Sequence, residues 1–263
     1  MARRPRQLQL HVPTWGGARR GAGRPRTADR ASSVAHRPRP EHDARHPVHV
    51  TLRARNGLPS FRAPRAFAAQ TTAIVRASGD QFRIIQFSVQ VDHVHAIVEA
   101  ADKRALSLGV AGFRIRAARA FNRTLRRIGP VWSGKYHARV LHTPREARTA
   151  MVYVLQNWKK HIRSASGVDG CSSGPWFEGW AEPPPPAMAA NPTMQARTWL
   201  GSRGWLEKGG GKLAVDERPR GPNEPQRSPK PSDAFVALSR SRRRSKPLGP
   251  PAPAQGRQRR LPR

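Results

Sequence analysis

Two histidines one residue apart, His93 and His95, flank Val94 inside the apolar stretch FRIIQFSVQVDHVHAIVE at 82–99. On a β-strand, residues i and i+2 point to the same face. Both imidazoles would then converge on one point, as a divalent metal ion or a phosphate requires. With ten histidines in the chain, such a pair alone is close to a chance event. A half-exposed strand face carrying two histidines is the bland reading. A second kind of chemistry comes from tyrosine, of which there are two, Tyr136 and Tyr153. Tyr153 lies in the helical stretch TAMVYVLQNWKKH, where Asn157, four residues on, shares its face. Met151, Val154, Leu155, Trp158 and Ile162 fall largely elsewhere and are expected to pack on a sheet. A phenol can attack a phosphodiester and form a phosphotyrosine if something activates the phosphate and the leaving 3′ oxygen. A divalent metal does both. Two imidazoles plus one amide oxygen leave positions open for DNA oxygens and water. An amphipathic core tyrosine is the alternative for Tyr153. Tyr136, between Lys135 and His137 on a predicted strand, is the weaker nucleophile and suits a core or base-stacking role better.

The elements that must position these groups can be read from pattern. Val48 to Leu52 alternates and is β-rich, so it predicts a strand. Residues 64–77 open on Pro64 and carry Phe67, Ile74 and Val75 at helical spacing. Strands follow over 82–89 and 93–99, joined tightly near Gln90 to Asp92. A long helix is expected over 103–127, with an apolar stripe of Leu106, Val110, Phe113, Ala117, Phe121 and Leu125. Arg114, Arg116 and four further arginines fill much of its remainder, either as a solvated face or as a DNA-facing one. Residues 136–142 alternate as a fourth strand. Thr143, Pro144 and Glu146 then form a helix start with a capping box, the helix running to about His161. The order β-α-β-β-α-β plus a helix predicts an α+β fold, the ferredoxin-like split βαβ, with a four-stranded antiparallel sheet and an added C-terminal helix.

Four segments follow: a basic arm over 1–46, the domain over 47–165, a Trp-containing extension over 166–215 and a basic tail over 216–263. Trp176, Trp180, Trp199 and Trp205 are expected to pack, at least in part, on the domain or a partner. Arm and tail are rich in Arg, Pro, Gly and Ser and predict disorder. Gly23-Arg24-Pro25-Arg26 resembles the core of a minor-groove AT-hook, or is simply a solvated basic stretch. Net charge is +33, with 49 Lys+Arg against 16 Asp+Glu. Such an excess points to a polyanion, most simply nucleic acid. Eight lysines against 41 arginines suit phosphate and guanine contacts, although a GC-rich genome writes the same ratio. The single Cys171 excludes a disulfide framework and a CxxC metal site. No apolar run of membrane-spanning length and no signal-peptide core is present, so a cytoplasmic protein is expected.

His93-Val94-His95 at the head of a central strand, one tyrosine about 60 residues later on a helix, and an amide at Tyr+4 together resemble the single-tyrosine HUH transposases. Among these, YVLQNWKKH and the arginine-bearing helix look most like the REP-associated tyrosine transposases of bacteria, relatives of the smallest single-strand insertion-sequence transposases. The resemblance covers roughly residues 46–165, and 176–206 more loosely. It implies binding of single-stranded DNA hairpins (palindromic repeats), and cleavage and rejoining of strands by metal-assisted transesterification through a 5′-phosphotyrosine. It implies Tyr153 as nucleophile, His93, His95 and Asn157 as ligands of Mg²⁺ or Mn²⁺, and a bacterial, nucleoid-associated location. Insertion-sequence relatives carry Gln at the Tyr+4 position, so Gln156 is the rival third ligand. Lys159, Lys160 and Arg163 would hold the DNA backbone. Either a homodimer or a monomer fits. The alternative is a non-catalytic hairpin-binding descendant of such an enzyme. A rolling-circle replication initiator ranks last, because Tyr153 stands alone on its helix.

Overall fold

A computed structural model describes residues 41–162 and 164–219. Arg24, Arg26 and Arg163, with nearly all of the basic arm and tail, lie outside the described residues. The core of the chain runs β1 (Val48–Arg53), α1 (Pro64–Ala77), β2 (Phe82–Val89), β3 (His93–Ala100), α2 (Lys103–Thr124), β4 (His137–Val140), α3 (Pro144–Gln156) and α4 (Trp158–His161). The sheet order is β2-β3-β1-β4, and every neighbouring pair is antiparallel. This is the split βαβ arrangement, an α+β fold with a four-stranded antiparallel sheet.

One sheet face packs on α1 and α2. Val48, Val50, Leu52, Val94, Ala96 and Val98 meet Leu106, Val110, Phe113, Ala117 and Phe121 there. The α2 stripe thus buries as its spacing predicts. The helix stops at Thr124, short of 127, because Arg126 turns left-handed at φ +48°. Arg127 N–H then bonds Asn122 C=O and Arg126 N–H bonds Arg123 C=O, the two bonds of a Schellman cap. α1 differs from its expected face. Val75 is exposed, and Ala66, Ala69, Gln70, Ala73 and Ile74 are the buried set.

Gln70 is fully buried, and neither amide atom has a hydrogen-bond partner among the described residues. An unsatisfied buried polar group costs about 1–3 kcal/mol. Gln70→Met keeps the length and removes the amide, so it is expected to raise unfolding free energy by about 1–2 kcal/mol. A denaturant-unfolding midpoint that falls instead would show that the amide is satisfied.

The opposite sheet face packs on α3 and on the extension. Ile85 and Ile97 of the sheet meet Met151, Val154 and Leu155 of α3, and beyond them Phe177, Trp180, Leu200, Trp205 and Leu213. A β-bulge between Ile84 and Gln86 shifts the phase of β2, turning Ile85 to this side and Phe87 and Val89 to the other. Trp180 and Trp205 are core residues of the extension, while Trp199 remains largely exposed. Two buried carboxylates tie the extension down. Asp169 takes a two-pronged grip from Arg62 at 2.7 and 2.8 Å. Glu99 of β3 accepts from the Arg197 and Thr198 N–H groups at 2.8 and 3.1 Å.

Candidate catalytic site on the sheet face beneath α3

Register decides which side chains share the site. In the β1–β3 pair, Thr51 lies opposite His95, Arg53 opposite His93 and His49 opposite Ile97. Residues directly opposite project to the same face. His93 and His95 therefore share a face with His49 and Thr51, and the apolar residues between them fill the α1/α2 core. The two imidazoles are 4.7 Å apart by ring centroid and nearly perpendicular.

The helix completes the group. Thr143 Oγ accepts from Glu146 N–H, and Glu146 Oε2 accepts from Thr143 N–H, each at 3.2 Å, so the expected capping box starts α3. Ala150, Met151, Val154 and Leu155 are buried in the second core and hold α3 on the sheet. Tyr153 then lands with its ring centroid 5.1 Å from His95 and 5.5 Å from His49, edge-on to both. Burial raises the Tyr153 phenol above its ordinary pKa. Lys160 Nζ stands 4.2 Å above the same ring, a cation–π distance. Asn157, one turn beyond Tyr153, keeps helical backbone angles between α3 and α4 and is 1% exposed.

Whether these residues fit a divalent ion turns on which ring nitrogens remain for it. His93 Nδ1 donates to Asp92 Oδ1 at 2.7 Å. That hydrogen bond holds the Asp92 carboxyl below its ordinary pKa, so Asp92 is an acceptor only and Nε2 is the ring nitrogen of His93 that could coordinate an ion. His95 Nδ1 lies 3.1 Å from Thr51 Oγ1 and 3.2 Å from His49 Nε2, so these contacts engage Nδ1 and not the buried Nε2. Metal-ligating histidines are oriented in this way through their second nitrogen. Asn157 Nδ2 is buried with no hydrogen-bond partner among the described residues; an amide N–H only donates, so any ion would have to be held by Oδ1 instead. Among the described residues no three His, Cys, Asp or Glu side chains cluster as a metal site. Two imidazoles, each with Nδ1 engaged by a neighbour, are the donor pair this face offers, and that pair fits a divalent ion.

The remaining expected site residues divide. Gln156 is fully buried; its Nε2 donates to Val215 C=O at 2.9 Å, while its Oε1 has no hydrogen-bond partner among the described residues, so it stays the rival amide. Lys159, expected on the DNA backbone, is instead buried: it is 2% exposed, and its ammonium donates to the Val215 carbonyl. Burial, and behind it Arg218, lowers the Lys159 pKa. Arg114 and Arg116 sit on α2, behind the opposite sheet face, so neither borders the histidines. Arg114 Nη2 also bonds Gly134 C=O at 2.6 Å. Tyr136 packs on that same far core and is not on the site's face. Ile162 is exposed rather than packed on the sheet.

His49, Thr51 and Asp92 are the site residues that sequence reasoning missed. Burial, then the nearby charges of His137 and Arg139, lowers the His49 pKa to about 4. It stays neutral at physiological pH. The signal was present: His49 and Thr51 alternate on a strand that the split βαβ order places beside the His-x-His strand.

No protein-family profile and no curated protein matches the chain. Among solved structures, it is similar to a REP-associated tyrosine transposase bound to a REP hairpin. Identity is 16% and the TM-score 0.42, over 51% of this chain and 78% of that one. Among the described residues no helix is long and apolar enough to cross a membrane.

Proposed function

We propose that the chain is a single-stranded DNA strand-transfer enzyme of the tyrosine-transposase kind, with Tyr153 as its nucleophile. The observation that carries this reading is the meeting of the Tyr153 ring with His95 at 5.1 Å, on the face that also holds His93. A strand and a helix about 60 residues apart thereby present a phenol and two imidazoles to one phosphate. The net charge of +33 supports a nucleic-acid substrate.

His93 and His95 would hold a divalent ion, Mg²⁺ or Mn²⁺, with the Asn157 amide oxygen as third ligand. When bound, the ion polarises the phosphodiester and takes up charge on the departing 3′ oxygen. The chain's own groups do the rest. Helix α3 fixes the phenol beside the imidazoles, so little motion is left to reach an attacking geometry. Because burial favours the neutral phenol, its proton must leave as the oxygen attacks. Lys160 places positive charge above the ring where the phenolate develops. Tyr153 Oη bonds to phosphorus as the bond to the 3′ oxygen breaks, leaving a 5′-phosphotyrosine and a 3′-hydroxyl. The reverse step on a second strand's 3′-hydroxyl rejoins DNA without an external energy source. Hairpins of palindromic repeats are the proposed substrate, and Lys160 is the DNA-contacting cation of α4.

The test uses the full chain, a labelled single-stranded hairpin oligonucleotide and Mn²⁺, and looks for a denaturant-resistant protein–DNA adduct. Absence of any adduct on hairpins from the source genome would favour the second reading, a hairpin-binding protein without catalysis. That reading draws on the raised pKa of the half-buried Tyr153 phenol. Lysine variants separate the two cations of α4. Lys160→Met is expected to weaken DNA binding and to lower the slope of log affinity against log salt by about 1. Lys159→Met is expected to leave that slope unchanged, since its ammonium bonds the Val215 carbonyl. A Lys160→Met slope equal to that of wild type would show that Lys160 touches no phosphate.

A further inference from the structure

We infer that His49 is a positioning residue for the metal-binding half of the site: its Nε2 accepts the Nδ1 proton of His95 and thereby fixes the tautomer in which His95 offers Nε2. The inference rests on the reading that His93 and His95 hold a divalent ion. His49 comes from β1, on the site's face and two residues from Thr51. Its Nε2 lies 3.2 Å from His95 Nδ1, and the two rings are 5.3 Å apart by centroid. On its other side the Tyr153 ring stands edge-on at 5.5 Å. The imidazole is thus wedged between metal ligand and nucleophile, touching both.

Thr51 Oγ1 also approaches His95 Nδ1, at 3.1 Å. A hydroxyl can either donate or accept. Thr51 alone would therefore allow both tautomers of His95, including one whose Nε2 carries a proton and cannot coordinate. We assign His49 the tautomer protonated on Nδ1, in which Nε2 can only accept, and that assignment leaves the shared proton on His95 Nδ1. His93 has the equivalent partner in Asp92. The two ligands are thereby oriented by different chemistry, a carboxylate for one and an imidazole for the other. An acceptor on the far nitrogen also raises the basicity of the ligating one, and loss of such partners typically weakens metal binding by about 10- to 100-fold.

The test measures Mn²⁺ binding directly on the full chain, by electron paramagnetic resonance of free Mn²⁺ during titration, with no DNA present. His49→Phe keeps a flat ring between His95 and Tyr153 but carries no acceptor. Its Kd for Mn²⁺ is expected to rise by roughly 10- to 100-fold. His49→Gln places Oε1 about where Nε2 stands and is expected to bind within about threefold of wild type, since the acceptor is restored. Should His49→Phe fail to fold by circular dichroism, His49→Asn replaces it. Its amide is too short to reach His95, so the same loss is expected. An undiminished Mn²⁺ site in His49→Phe overturns the role of His49 and leaves the metal reading standing. Equal losses in His49→Phe and His49→Gln also overturn it, because shape rather than the acceptor would then matter. A wild-type chain with no Mn²⁺ site that His95→Ala removes overturns the metal reading itself, and this inference with it.

Discussion

Tyr153→Phe abolishes the covalent DNA adduct, an expected loss of at least about a thousandfold in the rate of its formation, while hairpin affinity stays near that of wild type. The two effects separate because the substitution removes one atom. The phenyl ring keeps its edge contacts with His95 and His49 and its place beneath Lys160. The surface offered to a hairpin is therefore unchanged, and a half-buried hydroxyl is a small loss to stability, on the order of 1 kcal/mol or less. No other phenol can substitute, since Tyr136 packs on the core behind the sheet. Mass spectrometry of the digested adduct should place the nucleotide on the peptide containing Tyr153. An adduct that survives in Tyr153→Phe would remove Tyr153 as nucleophile. An adduct lost together with all hairpin binding would instead make the hydroxyl a binding group.

Local patterns in the sequence were enough for the elements, and less so for the site. α1 and β2 fall on residues 64–77 and 82–89 as their spacing predicts, and the Thr143–Glu146 capping box starts α3 where the motif stands. His93 and His95 share a face by i,i+2 geometry within β3, whereas Asn157 lies just past the end of α3, four residues after Tyr153. What lay beyond reach was set between elements. His49 and Thr51 join His95 only through the β1–β3 register, which no local rule supplies. The β2 bulge moves Ile85 to the second core, and one inserted residue leaves no periodic trace. The arginines of α2 look DNA-facing in a basic chain, yet the apolar stripe that folds the helix also commits it to the sheet face away from the histidines. Lys159 follows Tyr153 on a basic helix, and only the path of the extension, which has no periodic pattern of its own, shows that Val215 covers it. Gln70 was hidden for a different reason: a polar residue on the buried face of a helix contradicts the pattern used to find that face.

The largest expected loss of stability comes from Asp169→Ala. Asp169 is 2% exposed and joins three parts of the fold. Its two oxygens take both terminal nitrogens of Arg62 at 2.7 and 2.8 Å, from the loop that leads into α1. Oδ1 also accepts from Cys171 N–H at 2.9 Å, shaping the turn that starts the extension. Arg62 Nη1 reaches on to Val89 C=O at the end of β2, also at 2.9 Å. The Asp169 hydrogen bond lifts the Arg62 pKa, and an arginine stays charged at neutral pH even without that partner. Removing the carboxylate leaves that charge facing an alanine. Breaking a fully buried pair in this way costs about 3–5 kcal/mol. A quarter of the Arg62 side chain reaches solvent, so water recovers part of the loss and about 2–3 kcal/mol is expected. The cost should fall first on the extension, which Asp169 pins to the strand beside the histidine strand. Hydrogen exchange across 165–215 should therefore rise more than exchange in β1 and β3. The double variant Arg62→Met, Asp169→Ala should recover much of the loss, because it removes the stranded charge as well. If instead the single Asp169→Ala change costs less than about 1 kcal/mol, the pair behaves as a surface ion pair, and the extension is held by Trp180, Trp205 and the Glu99 contacts alone.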